Sequence, residues 1–593
     1  LTLVAVSKGN GPAQPASGRS ATRSKTARAR QSERPTNVPT SSTLTDRRRG
    51  LHHPPVRVPG ELAMPIGYRF IRVLLLAGAA TIPLGVLVFS ATAAEPLKCG
   101  HTGGDFTYGL EANVAGLDMQ ANSAASVRDI AMNTYETLVT RDDNMKPLLQ
   151  LAASVDASSD NRVFTFRLRQ GVHFHNGKLM TSADVRGSFE RYARVGIDRS
   201  ILAPVDHFDT PDPSTFVITL KEPHPTFIES MSSITVPIII FPEENKDAPP
   251  QQLPSIGTGP FQMVQFVADS YVKLKRFDGY TPDTRYTDED GFGGYKVACL
   301  DMITFRMVPE GGARVAGLET GELQAVEDVP TIMQKRIGTN KDIKLVSLEN
   351  FWLNVAYGNW SAPPTDNVKF RQAVLAALDF DEVMEAANDG NYKHNYSFQY
   401  PGTNYYSEAG KSLLDQHNPE KAKALLKEAG YHGEKVVLLT NKDYPALYNS
   451  GLVFAQQLKA VGINAELLVL DWPTALAKSM KGTPDWNYFF TGWITYVAQG
   501  GMQTLRPMAE PNPVYTPPGG KTDPAFMQAF DIVSNGATLA ERQAAFAKAQ
   551  QIALDDVMVI PMGVMPKVQG VRENVEHYRP FYNPRMYNVW ITN

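Results

Sequence analysis

Apolar and polar residues alternate along Val163-Phe164-Thr165-Phe166-Arg167-Leu168-Arg169, the pattern repeats over 216–220, and similar strand-like stretches run over 271–277, 435–439 and 463–470. A period of two places successive side chains on opposite faces, so each stretch predicts a half-buried strand. Helical signals are interleaved with these strands. Asn418 suits a cap and Pro419 the first helical position; Ala422, Leu425, Leu426 and Ala429 form one apolar stripe, and Gly430 predicts the end. Thr181 to Asp184 is a second capping pattern, opening a helix through Phe189 and Tyr192, and 367–378 reads as a third helix. Strands and helices mixed without strict alternation predict α/β or α+β lobes rather than a barrel or a bundle. The Pro- and Gly-rich stretch 508–520 and the polar stretch 280–294 predict loops.

The N-terminal part breaks from this pattern. Residues 1–63 run Arg, Ser, Pro and Thr, with Arg47-Arg48-Arg49, and cannot bury a core. After Met64, Arg69 and Arg72 precede an apolar run from Val73 to Phe89 and the small residues Ser90-Ala91-Thr92-Ala93-Ala94. Basic flank, apolar run and small residues make 64–94 a secretory signal peptide in form, cleaved after Ala93 or Ala94. The rival is a retained membrane anchor, which Gly78, Pro83 and Gly85 weaken. On the first reading Met64 is the start, 1–63 is an untranslated or disordered leader, and the mature chain is periplasmic.

At 593 residues the chain has room for two or three packed units. Removing 1–94 takes away 13 Lys/Arg and 3 Asp/Glu, leaving 45 basic and 58 acidic side chains and a net charge of −13. So acidic a protein is repelled by phosphate backbones, which argues against nucleic acid as a partner. Only two cysteines occur, Cys99 and Cys299. In an oxidising compartment they can close a disulfide from the mature N-terminus to mid-chain; two buried thiols are the alternative.

Common catalytic signatures are missing: there is no G-x-S-x-G elbow, Walker loop, H-E-x-x-H, or G-x-G-x-x-G after a strand. His173 and His175 flank Phe174 and would share one face of a strand, as metal ligands do, but no third ligand stands at a matching spacing. A strand-to-turn edge is the plainer reading, and neither metal nor cofactor is expected. Gly257-Thr258-Gly259-Pro260-Phe261 loses an N–H at Pro260 and has no following Lys, so it reads as a tight crossing between lobes rather than a phosphate cradle. Phe351-Trp352, Trp486-Asn487-Tyr488, and Trp493 with Tyr496 place amphipathic rings near Gly492 and Asn354. Such rings suit a pocket wall, with core packing as the alternative.

Taken in order, several motifs resemble the dipeptide- and oligopeptide-binding proteins of ABC importers, the extracytoplasmic solute-binding protein family 5. The resemblance runs over nearly all of 96–593. It is carried by Tyr135-Glu136-Thr137-Leu138-Val139, Pro147-Leu148-Leu149-Gln150-Leu151-Ala152, the run Phe164 to Gly177, and Thr181-Ser182-Ala183-Asp184-Val185. Ile256 to Phe261, Val368-Lys369-Phe370-Arg371-Gln372-Ala373 and Pro419 to Tyr431 follow in the family order. The resemblance implies an α/β, bilobal, periplasmic-binding-protein-like fold of the class II type with an extra third domain. Domain I would comprise 95–129, 256–348 and 563–593, domain II 130–255, and domain III 349–562, with hinges near Glu349 to Trp352 and Pro561 to Met565. It also implies a monomeric binder that closes over a small molecule without converting it and passes it to an ABC permease.

In peptide-binding members an acidic residue shortly after the Gly-Trp pair holds the ligand amine, because a buried ammonium needs a counter-charge. Here Gly492-Trp493-Ile494-Thr495-Tyr496 puts Tyr496 in that place, and a neutral hydroxyl cannot neutralise an ammonium. The dipeptide assignment is therefore weaker than the transport role; a longer peptide, a sugar, or an aromatic or amine solute also fits. The expected contacts are Trp493, Tyr496 and Trp352 as rings, Gly492 as a backbone group, Asn122, Ser123, Ser126 and Asn354 as polar partners, Arg128 and Lys442 as anchors for a ligand anion, and Asp485 at the cleft edge. The alternatives are an exported hydrolase or metal-dependent enzyme built on His173 and His175, and a sensor or chaperone-like binder of the same fold.

Overall fold

A computed structural model of the chain describes residues 95–592, apart from 482, 495, 496, 498 and 510–522. The signal-like segment thus lies outside the described residues, as does most of the predicted loop 508–520. Among the described residues no helix is long and apolar enough to cross a membrane.

The alternating stretches form strands Val163–Leu168, Thr215–Leu220, Tyr271–Arg276, Lys435–Asn441 and Asn464–Leu470. Asn418 Oδ1 accepts the Lys421 N–H at 3.0 Å, and helix Pro419–Ala429 ends at Gly430, whose φ of 69° is the left-handed conformation glycine adopts freely. In helix Ser182–Val195 the Asp184 carboxylate accepts the Thr181 N–H at 2.8 Å, closing the first turn. Asn367 caps Val368–Ala377 through the Lys369 N–H. The polar stretch 280–294 holds a short ladder, Glu289–Asp290 against Gly293–Gly294, besides loop. Gly291 takes φ 56° at its turn, where a Cβ would lie 2.0 Å from the Arg141 carbonyl oxygen.

Ten strands form one mixed sheet in the order Asn464–Leu470, Lys435–Asn441, Tyr488–Trp493, Ile343–Gly358, Val559–Arg572, Ala325–Val326, Asp105–Leu110, Met302–Met307, Tyr271–Arg276 and Phe261–Val267. Its two ends come from different stretches of chain, and two long antiparallel strands, Ile343–Gly358 and Val559–Arg572, run from one to the other. Their register shifts between Leu348 and Trp352 and between Asn354 and Val355, and such irregularities bend and twist a ladder. A separate four-stranded antiparallel sheet, ordered Ala152–Ala157, Val163–Leu168, Thr215–Leu220 and Val205–Asp212, packs on helix Ser182–Val195 around its own core of Phe164, Phe166, Phe189, Phe216 and Ile218.

Gly257 and Gly259 join the two regions. A Cβ at Gly257 would lie 2.1 Å from the Thr134 carbonyl oxygen and one at Gly259 2.8 Å from it, so the predicted tight crossing requires glycine at both places. His175 locks it: its Nδ1 accepts the Gly257 N–H at 3.1 Å and its Nε2 lies 3.0 Å from the Gly259 carbonyl. Burial lowers the His175 pKa to about 4, so the ring is neutral, with one nitrogen accepting and the other donating.

Beside the crossing strands, Lys567 Nζ sits 2.9 Å from Glu111 and 2.6 Å from Glu327, with Arg314 3.5 Å from Glu111. All four side chains are buried, and a buried charge needs its partners. The ammonium holds Glu327 below the usual carboxylate range despite burial, whereas burial outweighs the cations at Glu111 and pushes its pKa up to about 7.

Cys99 and Cys299 are joined in a disulfide 200 residues apart in sequence. It fixes the segment leading into strand Asp105–Leu110, where the Gly103 N–H also donates to the Cys299 carbonyl at 2.7 Å. Replacing both cysteines by Ser should cost about 2–4 kcal/mol of stability, read from denaturant unfolding. A second expectation concerns pH. Folded Glu111 keeps its proton to about pH 7 while the unfolded residue loses it near 4.5, so between those values the folded state binds more protons and stability falls as pH rises. Melting curves across this window should therefore show a shallower fall for Glu111→Gln than for the parent.

Candidate functional site in the interlobe cleft

Strands Lys435–Asn441, Asn464–Leu470 and Tyr488–Trp493 are parallel neighbours, so their carboxyl ends open on one side, which is where open α/β sheets gather ligands. Each end carries a large ring. Tyr444 precedes the Pro-initiated helix Pro445–Ala460, Trp472 opens helix Trp472–Ser479 after the Asp471 cap, and Trp493 ends its own strand. Trp352 joins them from the crossing strand, one position beyond the Leu353 to Trp493 pair.

The rings support one another. Trp352 meets Tyr444 edge to face at 5.5 Å, Tyr444 meets Trp472 likewise at 5.2 Å, and Trp472 stacks on Phe489 at 6.0 Å. Such pairs contribute about 0.5–1.5 kcal/mol each beyond the area they bury. Gly492 is needed for the arrangement, because a Cβ there would fall 1.8 Å from Trp352 Nε1.

These rings line a cavity of about 60 Å³ whose opposite wall is Ser123, Ala125, Arg128 and Thr235. The volume is that of roughly two waters. Arg128, on helix Ala125–Ala131, is 3% exposed and donates to the Ser123 and Thr235 carbonyls, which pins its guanidinium at the wall. A second cavity of about 170 Å³ adjoins at Leu476 and is lined by Asn122 and Ser126 on one side and Pro473, Ala477 and Met480 on the other. The Asn122 side-chain Oδ1 accepts the Ala124 N–H at 2.8 Å, and the Ser126 hydroxyl donates to the Asn113 backbone carbonyl at 3.2 Å. A third cavity, about 290 Å³, lies beside the crossing strands and shares Trp352 and Tyr444 with the first. Glu111, Asp328, Arg314 and Lys567 face it. Burial together with Glu327 and Glu111 raises the Tyr444 hydroxyl well above its ordinary pKa, keeping it neutral.

Seven of the eleven expected contacts thus gather in the cleft: Ser123, Arg128, Trp352, Gly492 and Trp493 at the inner cavity, Asn122 and Ser126 at the outer one. Three lie elsewhere. Asn354 is wholly buried and donates to Ser450 at 2.8 Å, Lys442 is exposed over the Tyr448 ring, and Asp485 is exposed and paired with Lys478 and Thr483. Tyr496 lies outside the described residues. Of the other expected rings, Trp486 is fully buried against Tyr357, and Phe351 packs under the Lys567 ammonium and against Tyr582. Tyr444, Trp472, Thr235 and Leu476 were not anticipated. For the two rings a signal existed, since each stands just past a strand-like run and immediately before a proline.

Both His175 nitrogens are used at the crossing. Among the described residues one acid and imidazole group is compact enough for an ion, Asp288, Glu289 and His577, but Arg579 fills it, bonding Asp288 and His577 and lying 3.8 Å from Glu289.

A family model described as bacterial extracellular solute-binding proteins, family 5 Middle, matches residues 146–510. Among curated proteins the chain is 30% identical over 399 residues to the probable peptide ABC transporter periplasmic-binding protein y4tO of Sinorhizobium fredii, covering 64% of this chain and 73% of that one. It is 27% identical over 421 residues to the glutathione-binding protein GsiB of Escherichia coli K12, covering 69% and 78%. Among solved structures, the dipeptide binding protein from Pseudoalteromonas sp. SM9913 in complex with Met-Leu superposes with a TM-score of 0.73 at 20% identity, over 82% of this chain and 100% of that one. That likeness extends to the bilobal fold. With its ring-walled cleft, its two crossing strands and a family match over most of its length, the chain belongs to the bacterial extracellular solute-binding proteins of family 5.

Proposed function

We propose that this protein is the periplasmic substrate-binding component of an ABC importer, which captures a peptide or a similar small organic solute by lobe closure and delivers it, as a monomer, to a membrane permease. The observation that carries the reading is the cleft itself: rings at three strand ends face the helix bearing Arg128, and the two halves are joined by a pair of strands with shifted register. Closing such a cleft removes the solute from water and creates a surface that a membrane partner can distinguish from the open form. The names of the relatives, a peptide transporter component and a glutathione binder, favour peptide-like ligands.

The same reading takes residues 64–94 as a cleaved signal peptide. It divides the mature chain into domain I (95–129, 256–348 and 563–593), domain II (130–255) and domain III (349–562), whose ends fall within the two crossing strands. Asn122, Ser123, Ser126, Arg128, Trp352, Gly492 and Trp493 are the proposed ligand contacts, with Tyr444 and Trp472 added from the geometry.

The decisive measurement is mass spectrometry of small molecules released by denaturing the purified protein; a peptide or peptide-like solute supports the proposal, and catalytic conversion of an offered solute overturns it. Trp493→Ala should weaken binding of that solute by about 1–3 kcal/mol, measured calorimetrically, if its ring packs on the ligand. Gly492→Ala should displace the Trp352 indole, changing tryptophan emission and lowering affinity in the same titration.

A further inference from the structure

Helix Ala125–Ala131 supplies Ala125 and Arg128 to the wall of the inner cavity and Ser126 and Val127 to that of the outer one. The same helix is fastened to residues 583–586 by amide side chains. Asn133, wholly buried just past the helix, donates through Nδ2 to the Asp129 carbonyl at 3.0 Å and to the Pro584 carbonyl at 3.2 Å, and its Oδ1 accepts the Met586 N–H at 2.9 Å. Asn583 Nδ2 donates to the Asp129 carboxyl at Oδ1, 2.6 Å away.

That last pair is incomplete if Asp129 is ionised. The two residues are 2% and 1% exposed, and each keeps one buried oxygen, Asp129 Oδ2 and Asn583 Oδ1, without a hydrogen bond. Both atoms are acceptors next to a carboxylate, and a buried acceptor with no donor is costly. Nearby cations are engaged elsewhere: the Lys567 ammonium with Glu111 and Glu327, the Arg128 guanidinium with the Ser123 and Thr235 carbonyls. Burial pushes the Asp129 carboxyl well above the usual carboxylate range; Glu327 adds to the shift, while Lys567, Asn583 and Arg128 oppose it. Tyr108, Tyr578 and Tyr444 also face it, with hydroxyls that burial keeps neutral.

A proton on Asp129 Oδ2 supplies the missing donor. A neutral carboxylic acid has one donor and one acceptor, as has the edge of a carboxamide, so the two side chains can then bond each other twice. We infer that the folded protein holds Asp129 as a neutral acid in a reciprocal pair with Asn583, a proton-dependent staple that anchors the cavity-wall helix to the segment 583–586. Losing the proton leaves two buried acceptors unpaired and adds a negative charge beside Glu327, so the anchoring of this wall weakens as pH rises. The sign follows from linkage. The unfolded side chain loses its proton near 3.8 and the folded one well above that, so this contribution is greatest in acid and falls as pH rises between the two values.

The test uses the full chain carrying Glu111→Gln, which removes the titration of Glu111, with and without Asp129→Asn. Asparagine keeps one donor and one acceptor in the shape of the neutral acid. Denaturant midpoints between about pH 5 and about pH 8 should fall less steeply with Asp129→Asn, and at about pH 8 that variant should be at least as stable as its Asp129 counterpart. In infrared spectra of the folded protein, one carbonyl component of a protonated carboxyl group should disappear in Asp129→Asn, and the same component should shift in a folded Asn583→Leu protein, which lacks the partner. Lower stability of Asp129→Asn at about pH 8, or its failure to fold even at about pH 5, means that the ionised form is the native one and overturns the inference. A spectrum that loses no protonated-carboxyl component overturns it equally. A component lost in Asp129→Asn but unmoved in Asn583→Leu would place the proton outside the pair and overturn the staple.

Discussion

The antiparallel pairing of Ile343–Gly358 with Val559–Arg572 is the constraint on which the rest of the molecule depends. These strands are the structural members shared by both ends of the ten-stranded sheet, and their register slips where the chain passes from one half to the other. A ladder with a bulge tolerates bending there at smaller cost than a regular one would, since fewer hydrogen bonds must change. Trp352 stands at this interruption, so the wall of the cavity is continuous with the irregular part of the crossing strand.

Charge is divided across the same boundary. On the hinge side Lys567 and Arg314 meet Glu111, Glu327 and Asp328 at close range, a network whose members are costly to bury singly and tolerable together. On the cleft side aromatic surface replaces ion pairs, and Arg128 is stabilised by backbone carbonyls. Trp352 and Tyr444 separate the two environments.

Much of the fold was legible in the sequence because its signals are local. The caps at Asn418, Thr181 and Asn367 and the stop at Gly430 depend on neighbours within one turn, and the alternating strands on a period of two. Gly257 and Gly259 were also readable, since the lost donor at Pro260 excluded a phosphate cradle. The cleft was only partly legible. Trp352, Gly492, Trp493 and Arg128 came from motif order, but Asn354, Lys442 and Asp485 lie off its walls, because a sequence position near a motif does not say which face of a strand or helix a side chain takes. Tyr444 and Trp472 escaped notice for a related reason: their importance arises only when two distant strands lie parallel and bring their ends together.

Trp352 stands in the wall between two cavities of opposite character. One indole borders the ring-lined cavity and the register shift of the crossing strands, with Tyr444 and Gly492 in contact and a polar, charged cavity behind it. Indole emission shifts with the polarity of its surroundings, so in a variant whose other five tryptophans are replaced by Phe, the colour of Trp352 would report on the packing of both cavities at once.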